Sequence, residues 1–172
     1  AGGDDDPTSI WQVTNAAGTG GISPSQGSQM LYFGNGLDYG GDGGFDASAL
    51  ASCGATESAV FSLDPAESWT LEFDLFTDIE PNPGCAGGGF AESDDFWISV
   101  VDYSNASTEN LVFDKSELDC ADFGGWTSLS IDLDAWSGSN IAVRFTFDSY
   151  DNFANDGLGL AVDDLQFVKG CE

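Results

Sequence analysis

The sequence contains no histidine, one methionine and only three basic residues, Lys115, Arg144 and Lys169. Without histidine, serine–histidine–acid triads, HExxH zinc sites and imidazole acid–base chemistry are all excluded. Three cations stand against 30 acidic residues, for a formal charge of −27. That balance excludes nucleic acid and anionic membrane surfaces as partners, because both require Lys and Arg to neutralise phosphates. There is no CxxC pair, no GxSxG, no P-loop and no apolar run of about 20 residues long enough for a spanning helix. Helical periodicity is missing as well. What remains for catalysis is a carboxylate pair of the glycosidase kind. Among 30 acids no pair stands out, so the chain is expected not to be an enzyme.

What the chain does have is alternation. Ile141, Val143, Phe145 and Phe147 alternate with Ala142, Arg144, Thr146 and Asp148, and Trp69, Leu71, Phe73 and Leu75 with Thr70, Glu72 and Asp74. Leu129, Ile131 and Leu133 form a third set, and Phe96, Ile98 and Val100 a fourth. A period of two places one face on a core and the other in water. Less regular runs at Ser9–Thr14, Met30–Gly34, Ala59–Leu63, Leu111–Asp114 and Gly159–Val168 bring the expectation to about nine strands. With 41% hydrophobic residues in 172, the chain can fill one core. The expected fold is all-β: an antiparallel β-sandwich of jelly-roll type without a substantial helix, one domain over residues 1–172 with residues 1–8 as an arm. In the closing strand the apolar phase breaks. Leu158, Leu160 and Val162 share one parity, Leu165 and Phe167 the other, and Asp163-Asp164 sits at the switch. A β-bulge there would re-aim one carboxylate inward.

The even cysteine count in a Gly-rich, Lys-poor chain predicts disulfides and an oxidising compartment. Cys53, Cys85, Cys120 and Cys171 allow three pairings. The long loops around Cys85 and Cys120 favour that pair, which leaves Cys53 with Cys171. The opening Ala1-Gly2-Gly3-Asp4-Asp5-Asp6 reads as a mature start after leader removal, so the expected location is extracellular or at the cell surface. One sequon, Asn105-Ala106-Ser107, is present.

A charge of this size strains a compact state by self-repulsion, which bound divalent ions relieve. Calcium takes six to eight oxygens from carboxylates, amides and backbone carbonyls. One Gly-rich loop offers Asn35, Asp38, Asp42 and Asp46, and a second offers Asp148, Asp151, Asn155 and Asp156. Neither follows the EF-hand spacing. Asp, Asn and Gly are also the ordinary residues of turns.

The segment Asn155–Leu165, NDGLGLAVDDL, resembles the closing strand of MAM-like domains and of the β-sandwich accessory modules of bacterial extracellular proteins. Trp126–Leu133 and Ile141–Asp148 resemble their penultimate strands, so the resemblance covers roughly the last 50 residues. It implies a jelly roll in which an Asp of the closing pair helps bind calcium and ties the last strand to an early loop. Carried onto this chain, Asp163 or Asp164 would meet Asp38 or Asp42.

Trp11, Trp69 and Trp126 alternate with polar residues and are expected in the core. Trp97, Trp136, Tyr150 and Phe153 fall off the apolar phase or in turns and are candidates for ligand contact, since an exposed ring beside acids and amides suits a sugar. Packing at an edge is the competing account of each. Two functions follow. One is a structural or adhesive role at the cell surface, with copies of the chain assembling into a filament or sheath through calcium. The other is a carbohydrate-binding module using exposed aromatics and calcium.

Overall fold

The computed structural model describes residues 10–15, 21–34, 52–85, 94–150 and 157–170. They form ten strands: β1 (Ile10–Thr14), β2 (Met30–Gly34), β3 (Cys53–Glu57), β4 (Phe61–Ser62), β5 (Trp69–Asp78), β6 (Asp95–Asp102), β7 (Thr108–Asp114), β8 (Gly125–Asp132), β9 (Asn140–Asp148) and β10 (Gly159–Lys169). Among the described residues the only helices are single 3-10 turns, at Lys115–Glu117, Cys120–Asp122 and Asp134–Trp136. Every strand pairing is antiparallel. The first sheet runs β1-β2-β10-β5-β8. The second runs β3-β9-β6-β7, with the short β4 also paired to β9. The fold is the antiparallel sandwich that the alternation predicts. The strand the sequence hid is β3, whose Cys-Gly-Ala-Thr-Glu carries no large apolar residue.

The alternating residues meet between the sheets. Phe33, Leu71, Phe73, Leu75, Leu160 and Val162 of the first sheet pack on Phe96, Ile98, Val100, Val143, Phe145 and Phe147 of the second. Each large side chain buried this way contributes roughly 1.5–3 kcal/mol. Gly54 on β3 leaves room for this packing: a Cβ there would stand 3.1 Å from the Phe33 ring and 3.6 Å from Trp11. The Trp11 indole nitrogen then donates to the Gly54 carbonyl at 3.0 Å.

The first sheet has a second, smaller apolar cluster on its outer face. Ile22, Met30, Tyr32 and Ala161 are buried there, with Phe76, Trp126 and Leu158 packed around them. This corrects two expectations. Trp126 shares parity with Ser128 and Ser130, not with core-facing Leu129 and Ile131, so it points away from the main core. It reaches the segment before β2, where its indole donates to the Ser23 carbonyl at 3.1 Å. Leu158 does not continue the Leu160–Val162 face, because Gly159 between them has φ +94° and breaks the extended alternation.

The bulge in β10 is present. Register slips between Asp163, opposite Asp74, and Gln166, opposite Glu72, and Asp164 takes φ +49°. Neither carboxylate turns into the core, however: Asp163 is half-buried and Asp164 exposed. Leu165 and Phe167 regain the core side beyond it.

Candidate ligand-binding cleft

The two outer faces of the sandwich differ. The segment 21–29 lies over part of the first sheet, whereas the second presents a cleft of about 800 Å³, within the range of small-molecule sites. Its floor comes from two strands. In β6 the residues Phe96, Ile98 and Val100 face the core, so Trp97 and Ser99 face the cleft. On the edge strand β7, Glu109 and Leu111 lie beside them, with Leu111 59% exposed. A bulge at Val112 of β7, opposite the Ile98–Ser99 step of β6, lets Phe113 face the core while Leu111 lines the cleft.

One wall is built by two chain segments tied together. Asn82 and Pro83 come from the loop after β5, and Asp114, Lys115 and Ser116 from the turn after β7. The Asn82 side-chain amide donates to the carbonyls of Lys115 (2.9 Å) and Leu118 (3.1 Å). Cys85 and Cys120 then join the same segments by a disulfide, with Cα atoms 5.1 Å apart. Asp114 caps its own 3-10 turn, accepting from the Ser116 N–H at 2.7 Å. The opposite side is Tyr150, half exposed and at φ +54°. Its backbone N–H donates to Asp148 Oδ1 at 2.8 Å, and its hydroxyl lies 3.5 Å from Asp95 Oδ2. Burial and the neighbouring Asp95 and Asp148 push the Tyr150 phenol pKa up.

Beneath the wall lies a buried ammonium group. Lys115, 3% exposed, donates its Nζ to the backbone carbonyls of Glu80 (2.9 Å) and Asp94. The buried Asp94 carboxylate accepts from the Glu80 N–H at 2.8 Å. Desolvation pulls the Lys115 pKa down, opposed by Asp94, Asp95 and Glu80. Farther along the same face, Arg144 on β9 binds Glu57 on β3 and Glu109 on β7. The Tyr103 hydroxyl donates to the other Glu57 oxygen at 2.8 Å. Arg144 and Tyr103 together hold the Glu57 carboxyl below its ordinary range.

Of the residues singled out in the sequence, Trp97 and Tyr150 line the cleft and Asp148 anchors one end of it. Trp136 does not: it is partly buried against the main core, at the end of its 3-10 turn. Asp163 is committed elsewhere, accepting from the Gln26 N–H (2.8 Å), Ser25 Oγ (3.2 Å) and the Asp164 N–H (2.8 Å). Asp164 accepts from the Gln166 amide at 2.7 Å. Among the described residues no three acidic or cysteine side chains are grouped to hold a metal ion. The candidate residues Asp38, Asp42, Asp151, Phe153, Asn155, Asp156 and Cys171 lie outside the described residues, and with Cys171 so does the expected Cys53–Cys171 pairing. Sequence reading missed Asp95, Ser99, Glu109, Leu111 and Lys115. The available signal was that Lys115 and Arg144, two of only three cations, both belong to this face.

No family model and no curated protein sequence matches the chain. Solved structures are similar to it in three dimensions. The K2 cleaved adhesin domain of Lys-gingipain aligns with a TM-score of 0.52 at 13% identity, over 98% of this chain and 88% of that one. The CBM22-1-GH10 modules of Clostridium thermocellum xylanase 10B, solved with xylohexaose, align at 0.47 with 16% identity. There the match covers 99% of this chain but 28% of that one. A xylan-binding module, CBM15, aligns at 0.31 with 11% identity. The likeness to the adhesin domain is one of fold, and it agrees with the sandwich described above.

Proposed function

We propose that this chain is a non-enzymatic, extracellular binding module that captures carbohydrate in the cleft on its second sheet. The observation that carries the reading is the placement of Trp97 and half-exposed Tyr150 in one open cleft among carboxylates, a hydroxyl and an amide. Aromatic rings offer apolar surface to the C–H faces of a pyranose. Asp95, Asp114 and Glu109 offer carboxylate acceptors to sugar hydroxyls. Both rings are held by structured backbone, Trp97 within β6 and Tyr150 by its bond to Asp148. Little ordering entropy is then spent on binding. The Cys85–Cys120 bridge supports an oxidising location. Among the described residues no helix is long and apolar enough to cross a membrane.

The test is isothermal titration and affinity gel electrophoresis against a panel of soluble polysaccharides, with Trp97→Ala beside the parent protein. Binding that disappears in the variant supports the reading. A panel without binding removes it and returns weight to assembly of identical copies, which electron microscopy with and without a chelator would reveal.

Calcium enters this reading as a proposal. Asp95 and Asp148 are direct partners in the β6–β9 register, and like charges directly opposite on a sheet are destabilising. Oxygens at that end of the cleft suit a hard divalent cation. The ion would offset their repulsion and fix the strand end that carries Tyr150.

A further inference from the structure

We propose that the cleft selects neutral glycan chains and rejects uronic-acid and sulfated ones. This rests on the carbohydrate reading above and names its ligand class. The argument turns on where the cations near the cleft are spent. Lys115 lines the wall, yet it is 3% exposed and its Nζ is used by the carbonyls of Glu80 and Asp94. Arg144 has two carboxylates for itself: its Nε donates to Glu57 at 3.0 Å, and its two terminal nitrogens meet Glu57 and Glu109. Neither can turn to a ligand anion without abandoning a partner, and an abandoned carboxylate or carbonyl costs free energy.

Facing the cleft are the carboxylates of Asp95, Glu109 and Asp114; a calcium ion at the Asp95–Asp148 end would neutralise that pair and leave Glu109 and Asp114 toward the ligand. Asp95 and Asp114 are half-buried, and low-dielectric walls concentrate their field inside the cleft. The chain as a whole adds a formal −27. A ligand carboxylate or sulfate entering there meets like charge with no uncommitted counter-charge among the described residues. A sugar hydroxyl meets the opposite case: it donates to a carboxylate in a charge-assisted bond, stronger than a neutral one. The acids that repel an anionic chain therefore hold a neutral one, and the rings beside them serve either.

The experiment is titration in calcium-containing buffer, so that any ion able to bridge ligand and protein is present. The probes are neutral β-1,4-linked gluco- and xylo-oligosaccharides, oligogalacturonate and chondroitin sulfate. Neutral chains are expected to bind about tenfold or more tightly than either anionic class. Their affinity should be nearly independent of salt between about 0.05 and about 0.5 M, while any residual anion binding strengthens as salt screens the repulsion. The triple substitution Asp95→Asn, Glu109→Gln, Asp114→Asn removes three charges and frees one side of Arg144, so it should raise the anionic-to-neutral affinity ratio about tenfold. Anionic chains binding as well as neutral ones, or a ratio unmoved by the triple variant, would overturn the selectivity and leave carbohydrate capture standing. Absence of binding by every probe would remove both.

Discussion

Glu57 and Arg144 face one another across the β3–β9 ladder, and the guanidinium grips one carboxylate oxygen with two of its nitrogens. The contact ties the sheet's edge strand to its interior strand on the solvent side. It also reaches β7 through Glu109, so one side chain braces three strands.

The brace has a pH signature. Arg144 and then Tyr103 lower the Glu57 pKa. A depressed carboxyl pKa adds stability that is complete above the unfolded value of about 4.3 and is lost as pH falls through the lower folded value. Glu57→Gln should therefore lower Tm at neutral pH, by an amount equivalent to about 1 kcal/mol or less given partial solvent screening. That gap should close in the acid range below about pH 4. A pH series of thermal melts checks it; a gap that widens toward acid contradicts the assignment.

In the proposed reading Trp97 serves the ligand rather than the fold. Its neighbours Phe96 and Ile98 fill the core and it does not. Trp97→Ala is expected to weaken binding about tenfold or more and to shift stability by no more than about 1 kcal/mol. Chemical denaturation beside titration separates the two effects.

The Cys85–Cys120 bridge spans a sequence separation of 35 residues. Chain-entropy reasoning gives about 4 kcal/mol for a loop of that length. The double substitution to serine should lower stability by up to that amount. Because the same loops form the cleft wall, affinity should fall further than fold loss explains when measured well below Tm. Unchanged affinity in the folded variant would show that the wall does not shape the cleft.

Asp164 sits at φ +49° in the β10 bulge, a conformation that L side chains adopt reluctantly and glycine freely. Asp164→Gly should stay within about 1 kcal/mol of the parent, because relief of the left-handed φ offsets the added entropy of the unfolded chain, whereas Asp164→Val should destabilise by about 1–3 kcal/mol. Asp163→Ala should cost about 0.5–1.5 kcal/mol, since it removes the acceptor of the Gln26 N–H and Ser25 hydroxyl, which water can then reach. Equal effects of Gly and Val at residue 164 would argue against the bulge.

If calcium binds at the Asp95–Asp148 end, EDTA should lower Tm, and saturation at a hundredfold over Kd corresponds to about 2.7 kcal/mol. Asp148→Asn should blunt the response. A melting curve indifferent to EDTA would remove calcium from this end of the molecule.

Strands with strict alternation were legible in the sequence, because a period of two written in Phe, Ile, Val and Leu has one physical reading. β5 and β9 are of this kind. β3 was not, because it stabilises the sheet through backbone pairing with β9 and through the absence of a side chain at Gly54. Trp126 misled because its surroundings alternate: parity assigns it to the outer face, and only tertiary structure shows that this face is also covered. Trp97 and Tyr150 stood out as off-phase rings, but the cleft around them joins residues 82, 97, 111 and 150. No local pattern encodes that convergence. The bulge at Asp163-Asp164 was visible as a phase break, while the destination of its carboxylate depended on a segment some 137 residues earlier.

The apolar patch under residues 22–30 gives the molecule a back. With Tyr32 bonded to the Leu158 carbonyl and Trp126 to that of Ser23, the described part of that patch is covered by the chain itself. A tether, bead or fused neighbour attached there would leave the Trp97 side pointing into solution.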